Sequence, residues 1–416
     1  MTTLVLAALL ASGVASGFSR IDQQEVVADI RVHGNVATPD QDIITLAGIS
    51  VGAPLPANAP ADIAARLRAS KKFEKVEVLK RFASIEDPTR IVLVIVVDEG
   101  HVDIQRTGDA SNPTRVVRTH RPFLFLPILS AEDGYGLTYG VLFTRPDVAG
   151  RGSRLLFPAT WGGEKRAAAE LEKDFGRAAR TRIGGGTSFT RRTNPFYDRD
   201  DDRGRVWARV EQSVTPWLRA SATAGWQHVS FLDEKTSFVH AGADVTFDTR
   251  LDPVLARNAV FLRAAIDRYD VAGGVSTREV DARGYVGLIG QSVLVVRALR
   301  QDGSAPLPPY LQPMLGGMSN LRGFRAGAAV GDTLVAGSAE LRLALTSPLE
   351  VAKLGVSAFV DAGAIYDKGQ RFADQRLRRG IGGSVWVSAA IVRFSLSVAH
   401  GIGATTRVHF GGAVAF

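Results

Sequence analysis

From about residue 122 to the end of the chain, small or apolar residues alternate with polar ones at a period of two. Val206, Ala208 and Val210 take one face, while Trp207, Arg209 and Glu211 take the other. Leu218, Ala220, Ala222, Ala224 and Trp226 alternate in the same way with Arg219, Ser221, Thr223 and Gln227. So do Val280, Ala282, Val286 and Leu288 with Glu279, Asp281 and Arg283. This is the pattern of a strand with lipid on one side and a hydrated lumen on the other. Sixteen segments of about ten residues, the first at 122–130 and the last at 405–416, fill the region 122–416 as an antiparallel barrel.

The N-terminal part has a different texture. Residues 27–100 predict a βααββ unit: an alternating strand at Asp29, Ile30, Arg31 and Val32, then a turn at His33-Gly34-Asn35. Pro39 and Asp40 open a first helix, and Ile63 and Leu67 share one face of a second. Phe73-Glu74-Lys75-Val76-Glu77-Val78 and residues 90–100 complete it as two strands. Residues 101–121 are polar without a period and predict a linker. Leu4 to Ala11 form a short apolar run followed by small residues, which reads as a signal peptide over residues 1–17, with a frayed N-terminal helix as the alternative.

Loop lengths supply a second test, because such barrels keep short turns on the periplasmic side and long loops outside. With the first strand entering from the periplasm, the polar segments 191–203, 301–332 and 366–378 fall outside. Thr215-Pro216, Ile289-Gly290 and Ala389-Ala390 fall on the inner side.

Composition narrows the class. No apolar run approaches the roughly 18 residues of a membrane helix, so a span must be a closed sheet. The 416 residues hold no cysteine, which removes disulfides and cysteine metal sites. A net charge of +8 is spread over the whole chain rather than gathered with aromatics, which argues against nucleic acid and for anionic lipid or acidic clients. The seven histidines lack metal-ligand spacing, and neither a G-x-S-x-G elbow nor a phosphate loop is present, so no cofactor or metal is expected. Asp198, Asp200, Asp201 and Asp202 read as an exposed acidic loop, with a divalent cation as the alternative.

Three further motifs carry the strongest signal. Gly316-Gly317-Met318-Ser319-Asn320-Leu321-Arg322-Gly323-Phe324 is followed by Glu340-Leu341-Arg342 and by Phe359-Val360-Asp361-Ala362-Gly363. In this order the chain resembles the BamA/TamA superfamily of outer-membrane assembly barrels, and residues 27–100 resemble a single POTRA domain. Alternation turns Glu340, Arg342, Phe359, Asp361 and Gly363 toward the lumen, where Arg322 on a loop folded inward could meet Asp361 with Glu340 nearby. Read alone, these are solvated charges; the resemblance implies a pair that locks the loop. His409-x-Gly411-x-x-Val414-x-Phe416 resembles the terminal β-signal of outer-membrane barrels.

The resemblance implies a non-enzymatic protein of the bacterial outer membrane with its POTRA domain in the periplasm. It would insert β-barrel proteins or translocate polypeptides, combining β-augmentation at the POTRA edge with a weak seam between first and last strands. Gly401, Gly403, Gly411 and Gly412 are expected to loosen that seam. Its partners would be outer-membrane lipids, unfolded barrel or secreted clients, and periplasmic accessory proteins reached through the POTRA domain. A passive pore built on the same barrel is the alternative.

Overall fold

The structure, a computed structural model, describes residues 25–414 except 36–37, 57, 74, 84–86, 88, 100, 107–113, 120–123, 151, 177–179, 251–255, 347–352 and 389–391. The expected signal at 1–17 and the terminal Phe416 lie outside the described residues.

The N-terminal domain has the expected order: β1 (Val26–His33), α1 (Asp40–Ala47), α2 (Ala59–Ala69), β2 (Lys75–Phe82) and β3 (Arg90–Asp98). β3 lies between the other two, parallel to β1 and antiparallel to β2. Alternation in β3 puts Ile91, Leu93, Ile95 and Val97 into the core, where they meet Ile43 of α1 and Ile63 and Leu67 of α2. Burying each such side chain contributes about 1.5–3 kcal/mol. The buried Glu99 carboxylate accepts the Thr38 backbone N–H at 2.9 Å, tying the end of β3 to the approach of α1.

The segment expected to be a linker contains a hairpin, β4 (His101–Arg106) with β5 (Thr114–Thr119). The alternation of Val102 and Ile104 is too short to stand out from a polar stretch.

Sixteen antiparallel strands then close into a barrel. The first eight are β6 (Leu124–Glu132), β7 (Gly136–Pro146), β8 (Ser153–Gly162), β9 (Lys165–Asp174), β10 (Thr181–Asn194), β11 (Arg199–Thr215), β12 (Leu218–Phe231) and β13 (Glu234–Asp248). Next come β14 (Ala259–Tyr269), β15 (Val275–Gly287) and β16 (Val293–Gly303). The following loop holds two short strands outside the barrel wall, β17 (Met314–Leu315) and β18 (Ala329–Val330). The wall resumes with β19 (Thr333–Thr346), β20 (Lys353–Tyr366), β21 (Arg378–Ser388), β22 (Val392–Gly401) and β23 (Thr406–Val414).

The segment 191–203, expected as a loop, is mostly strand. β10 runs to Asn194 and β11 starts at Arg199, leaving four residues for the turn, 195–198. The extension is stabilised by polar cross-strand partners: Arg191 pairs with Asp202 at 2.5 Å, and Thr193 donates to Asp200 at 2.9 Å. Asp201 faces the lumen side and takes Arg203 at 2.5 Å. Asp200, Asp201 and Asp202 are therefore engaged in ion pairs along a strand, while Asp198 stays in the turn. Beyond the lipid a strand needs no apolar face, so the alternation that marks the rest of the wall is absent here.

The wall sorts its side chains as lipid and water demand. Val206, Val210, Val239, Val360 and Phe410 are exposed outward. Inward, arginine and carboxylate neighbours pair across strands, as in Arg209 with Asp244 at 3.0 Å and Arg263 with Glu279 at 2.5 Å. The N-terminal domain meets the barrel at the end opposite the long 304–332 loop. There Lys353 Nζ lies 3.4 Å from the Phe82 carbonyl and Arg257 lies over the Phe82 ring at 5.8 Å.

Closure is uneven. β23 and β6 pair only at Gly412–Ala131 and Ala413–Ser130 among the described residues.

Candidate functional site: the loop held in the lumen

The site is built from the loop between β16 and β19. It leaves the wall beside Asp332, whose buried carboxylate accepts the backbone N–H groups of Leu307 at 2.6 Å and Lys368 at 2.8 Å. It then crosses toward β11–β13, where Tyr310 packs against Val229, Phe231 and Phe238, and Arg203 donates to the Tyr310 carbonyl at 2.8 Å. From there the β17–β18 pair carries it down into the lumen. Asn320 fastens the descent, accepting the Gly316 N–H at 2.8 Å and donating to the Met314 carbonyl at 2.9 Å.

Two glycines shape the tip. Gly316 has φ 113° and Gly323 has φ 92°, in the region that side chains disfavour. A Cβ at Gly316 would stand 2.0 Å from the Arg325 carbonyl oxygen, and one at Gly323 would stand 2.7 Å from the Gly401 backbone nitrogen. Leu321 is fully buried with Leu299, Leu315 and Leu334, and Phe324 packs on the same cluster.

Between these apolar anchors Arg322 reaches the wall. Its Nε and Nη2 donate to the two oxygens of Asp361, each at 2.8 Å, and its backbone N–H donates to the same carboxylate at 3.0 Å. Nη1 donates to Glu340 at 2.8 Å, and Glu340 also accepts Arg342 at 2.9 Å. The guanidinium carbon stands over the Phe359 ring, 3.3 Å from its centroid. Arg322 is 8% exposed and Asp361 4%. A shielded, bidentate, charge-assisted pair of this kind is strong, and removing one partner strands the other.

Strand alternation explains why the receptors converge. Phe359, Asp361 and Gly363 are successive inward positions of β20, and Ser338 and Glu340 of β19 lie beside them in register. On the next strands glycine makes room. A Cβ at Gly380 of β21 would stand 2.0 Å from the Arg322 carbonyl oxygen, and one at Gly401 of β22 would stand 2.8 Å from that of Gly323. Below the tip is a cavity of about 160 Å³ lined by Arg283, Arg297, Arg322, Glu340 and Arg342. Arg297 donates to the Ser319 carbonyl at 2.5 Å from this side while pairing with Asp281.

Of the residues singled out by sequence, Gly316, Gly317, Leu321, Arg322, Gly323, Phe324, Glu340, Asp361 and Gly363 come together here. His409 joins them from β23, receiving the Gly323 N–H on Nε2 at 3.0 Å. Gly411 lies against Met318 of the loop. Val414 ends the last described strand, and Phe416 is outside the described residues. Gly401, expected to loosen the seam, has another physical role in providing clearance for Gly323 and Phe324. Gly380 and Asp133 were not singled out. Nothing local marks them: Gly380 lies 58 positions beyond the Arg322 it clears, and Asp133 bonds a histidine 276 residues away.

A family model described as the Omp85 superfamily domain matches residues 129–412. Among solved structures, BamA from Haemophilus ducreyi lacking POTRA domains 1–3 is similar with a TM-score of 0.63 at 15% identity, over 94% of this chain and 84% of that one. CdiB from Escherichia coli is similar with a TM-score of 0.54 at 12% identity, over 96% and 92%. At these identities the likeness is one of fold. No curated protein sequence matches the chain.

Proposed function

The chain belongs to the Omp85 superfamily, and we propose that it acts in the outer membrane to assist insertion of β-barrel proteins or passage of polypeptides, without catalysing a chemical reaction. In this reading the N-terminal domain is a single POTRA domain on the periplasmic side. It offers the edge of its sheet to an extended client segment, whose main chain can add as a strand. The client then reaches the barrel at the β6–β23 seam, where the wall pairs on the fewest rungs among the described residues.

The observation that carries the proposal is the pairing of a seam with two rungs among the described residues and a loop bonded into the lumen next to it. A barrel that had only to enclose a pore would gain from a full ladder at every junction. Here a side-chain bridge through His409 and Asp133 adds to the described rungs, and side-chain bonds can be released without melting the sheet. The loop also occupies the lumen from β11–β13 across to β20–β23, where a passive pore would need open water.

The test is to reconstitute the protein in liposomes and time the folding of an unrelated outer-membrane barrel. Comparison of the parent with Arg322→Ala and with a deletion of residues 27–100 assigns the effect. Acceleration by the parent that is lost in either variant supports the role. Ion leakage through the vesicles with no acceleration would replace it with the pore.

A further inference from the structure

His409 is 2% exposed on β23 and faces the lumen. Because its Nε2 accepts the Gly323 N–H, the ring proton sits on Nδ1, which donates to Asp133 Oδ2 at 2.6 Å. Asp133 lies in the turn that joins β6 to β7. One imidazole therefore joins three separate segments: the last strand, the first hairpin, and the loop residue that follows Arg322.

The same turn is gripped by the loop. A Cβ at Gly317, on the incoming limb, would stand 2.9 Å from Asp133 Oδ2, and one at Gly134 would stand 2.5 Å from the Ala326 Cβ on the outgoing limb. The backbone rungs at Gly412–Ala131 and Ala413–Ser130 lie immediately along the same register. The bridge thus acts as a side-chain rung that extends the seam at its outer end, and one of its three members is the loop itself.

We propose that His409 is a positioning residue that couples the seam to the seated loop, so that the seam separates when Gly323 is released and closes when it returns. The inference deepens the reading of the seam as the moving part of the molecule. It assigns to the polar position of the terminal strand pattern a role inside the finished barrel.

The chain has no cysteine, so one engineered pair, Ala131→Cys with Gly412→Cys, reports closure by its oxidative cross-linking in lipid vesicles. On that background His409→Ala should lower the closed-to-open ratio of the seam about fivefold, the worth of an ordinary buried hydrogen bond, and slow cross-linking with it. The barrel should remain folded by its heat-modifiable mobility. Asp133→Ala should do the same, and the double variant should add little, since both changes break one bridge. Asp133→Asn, which keeps an acceptor for Nδ1–H, should stay near the parent.

Coupling also requires that Arg322→Ala lower the rate although it touches neither His409 nor Asp133. Parent-like rates in His409→Ala and Asp133→Ala, additive losses, or a parent-like rate in Arg322→Ala would each overturn the proposal. Should His409→Ala fail to fold, Asp133→Ala against Asp133→Asn decides it, equal rates overturning it. No client enters this readout. A protein that cross-links as expected yet leaves client folding unaccelerated would keep the coupling and lose the assembly role.

Discussion

Away from the seam, β10 and β11 are paired without a break from Thr181–Gln212 to Asn194–Arg199, and β12 and β13 from Leu218–Phe247 to Phe231–Glu234. At the seam, β23 and β6 meet on two rungs among the described residues, and His409, Asp133 and the loop join them further. The first region is stabilised by main-chain bonds that any sequence of suitable alternation can make. The second depends on particular side chains, several of them distant in the chain. A wall of the first kind is hard to open and tolerant of substitution. A junction of the second kind is sensitive to single residues and can be opened by releasing them.

That contrast can be broken most forcefully at Asp361. Asp361→Ala removes the bidentate partner of the Arg322 guanidinium and leaves a buried cation held by Glu340 alone, at a cost of about 3–5 kcal/mol. The folded, heat-modifiable form should be lost at a clearly lower urea concentration than in the parent. Next is Gly380→Ala, whose methyl would collide with the Arg322 carbonyl oxygen. Displacement of the loop should cost about 1–3 kcal/mol in the same titration, and increased protease cleavage after Arg325 should report that the loop has left its seat.

A smaller loss is expected from Phe359→Leu, which keeps an apolar side chain but removes the ring beneath Arg322. The cation–π part is worth about 1–2 kcal/mol when shielded as here. Glu340→Gln should cost about 1 kcal/mol or less, since the amide oxygen can still accept from Arg322 while Arg342 loses its ionic partner. At the far end of the scale, Arg191→Ala on the extended part of β10 should leave the unfolding midpoint where it is. That pair is exposed and rests on an unbroken ladder. If Arg191→Ala destabilised the barrel as much as Asp361→Ala, the distinction between wall and junction would fail.

Much of this was legible in the sequence because period two writes inside and outside into every strand. All sixteen barrel strands stand within a few residues of where alternation places them, and Asp361, Glu340 and Phe359 face inward as their parity requires. Legibility ended where that signal ended. The polar ends of β10 and β11 have no apolar face to alternate, and the 101–119 hairpin is too brief. The remaining omissions are of another kind. Gly380 matters because a loop from elsewhere approaches it, and Asp133 matters because it meets His409 across 276 residues. A local pattern marks what faces inward but not what is met there.

The central claim is that the β6–β23 junction must part for the protein to work. With Ala131→Cys and Gly412→Cys as the chain's only cysteines, the folding of a client barrel in liposomes can be timed on one preparation, oxidised and then reduced. The account predicts that oxidation abolishes the acceleration and that reduction restores it. Equal acceleration in both states would contradict it, because a barrel that works with its seam welded does not work by opening it.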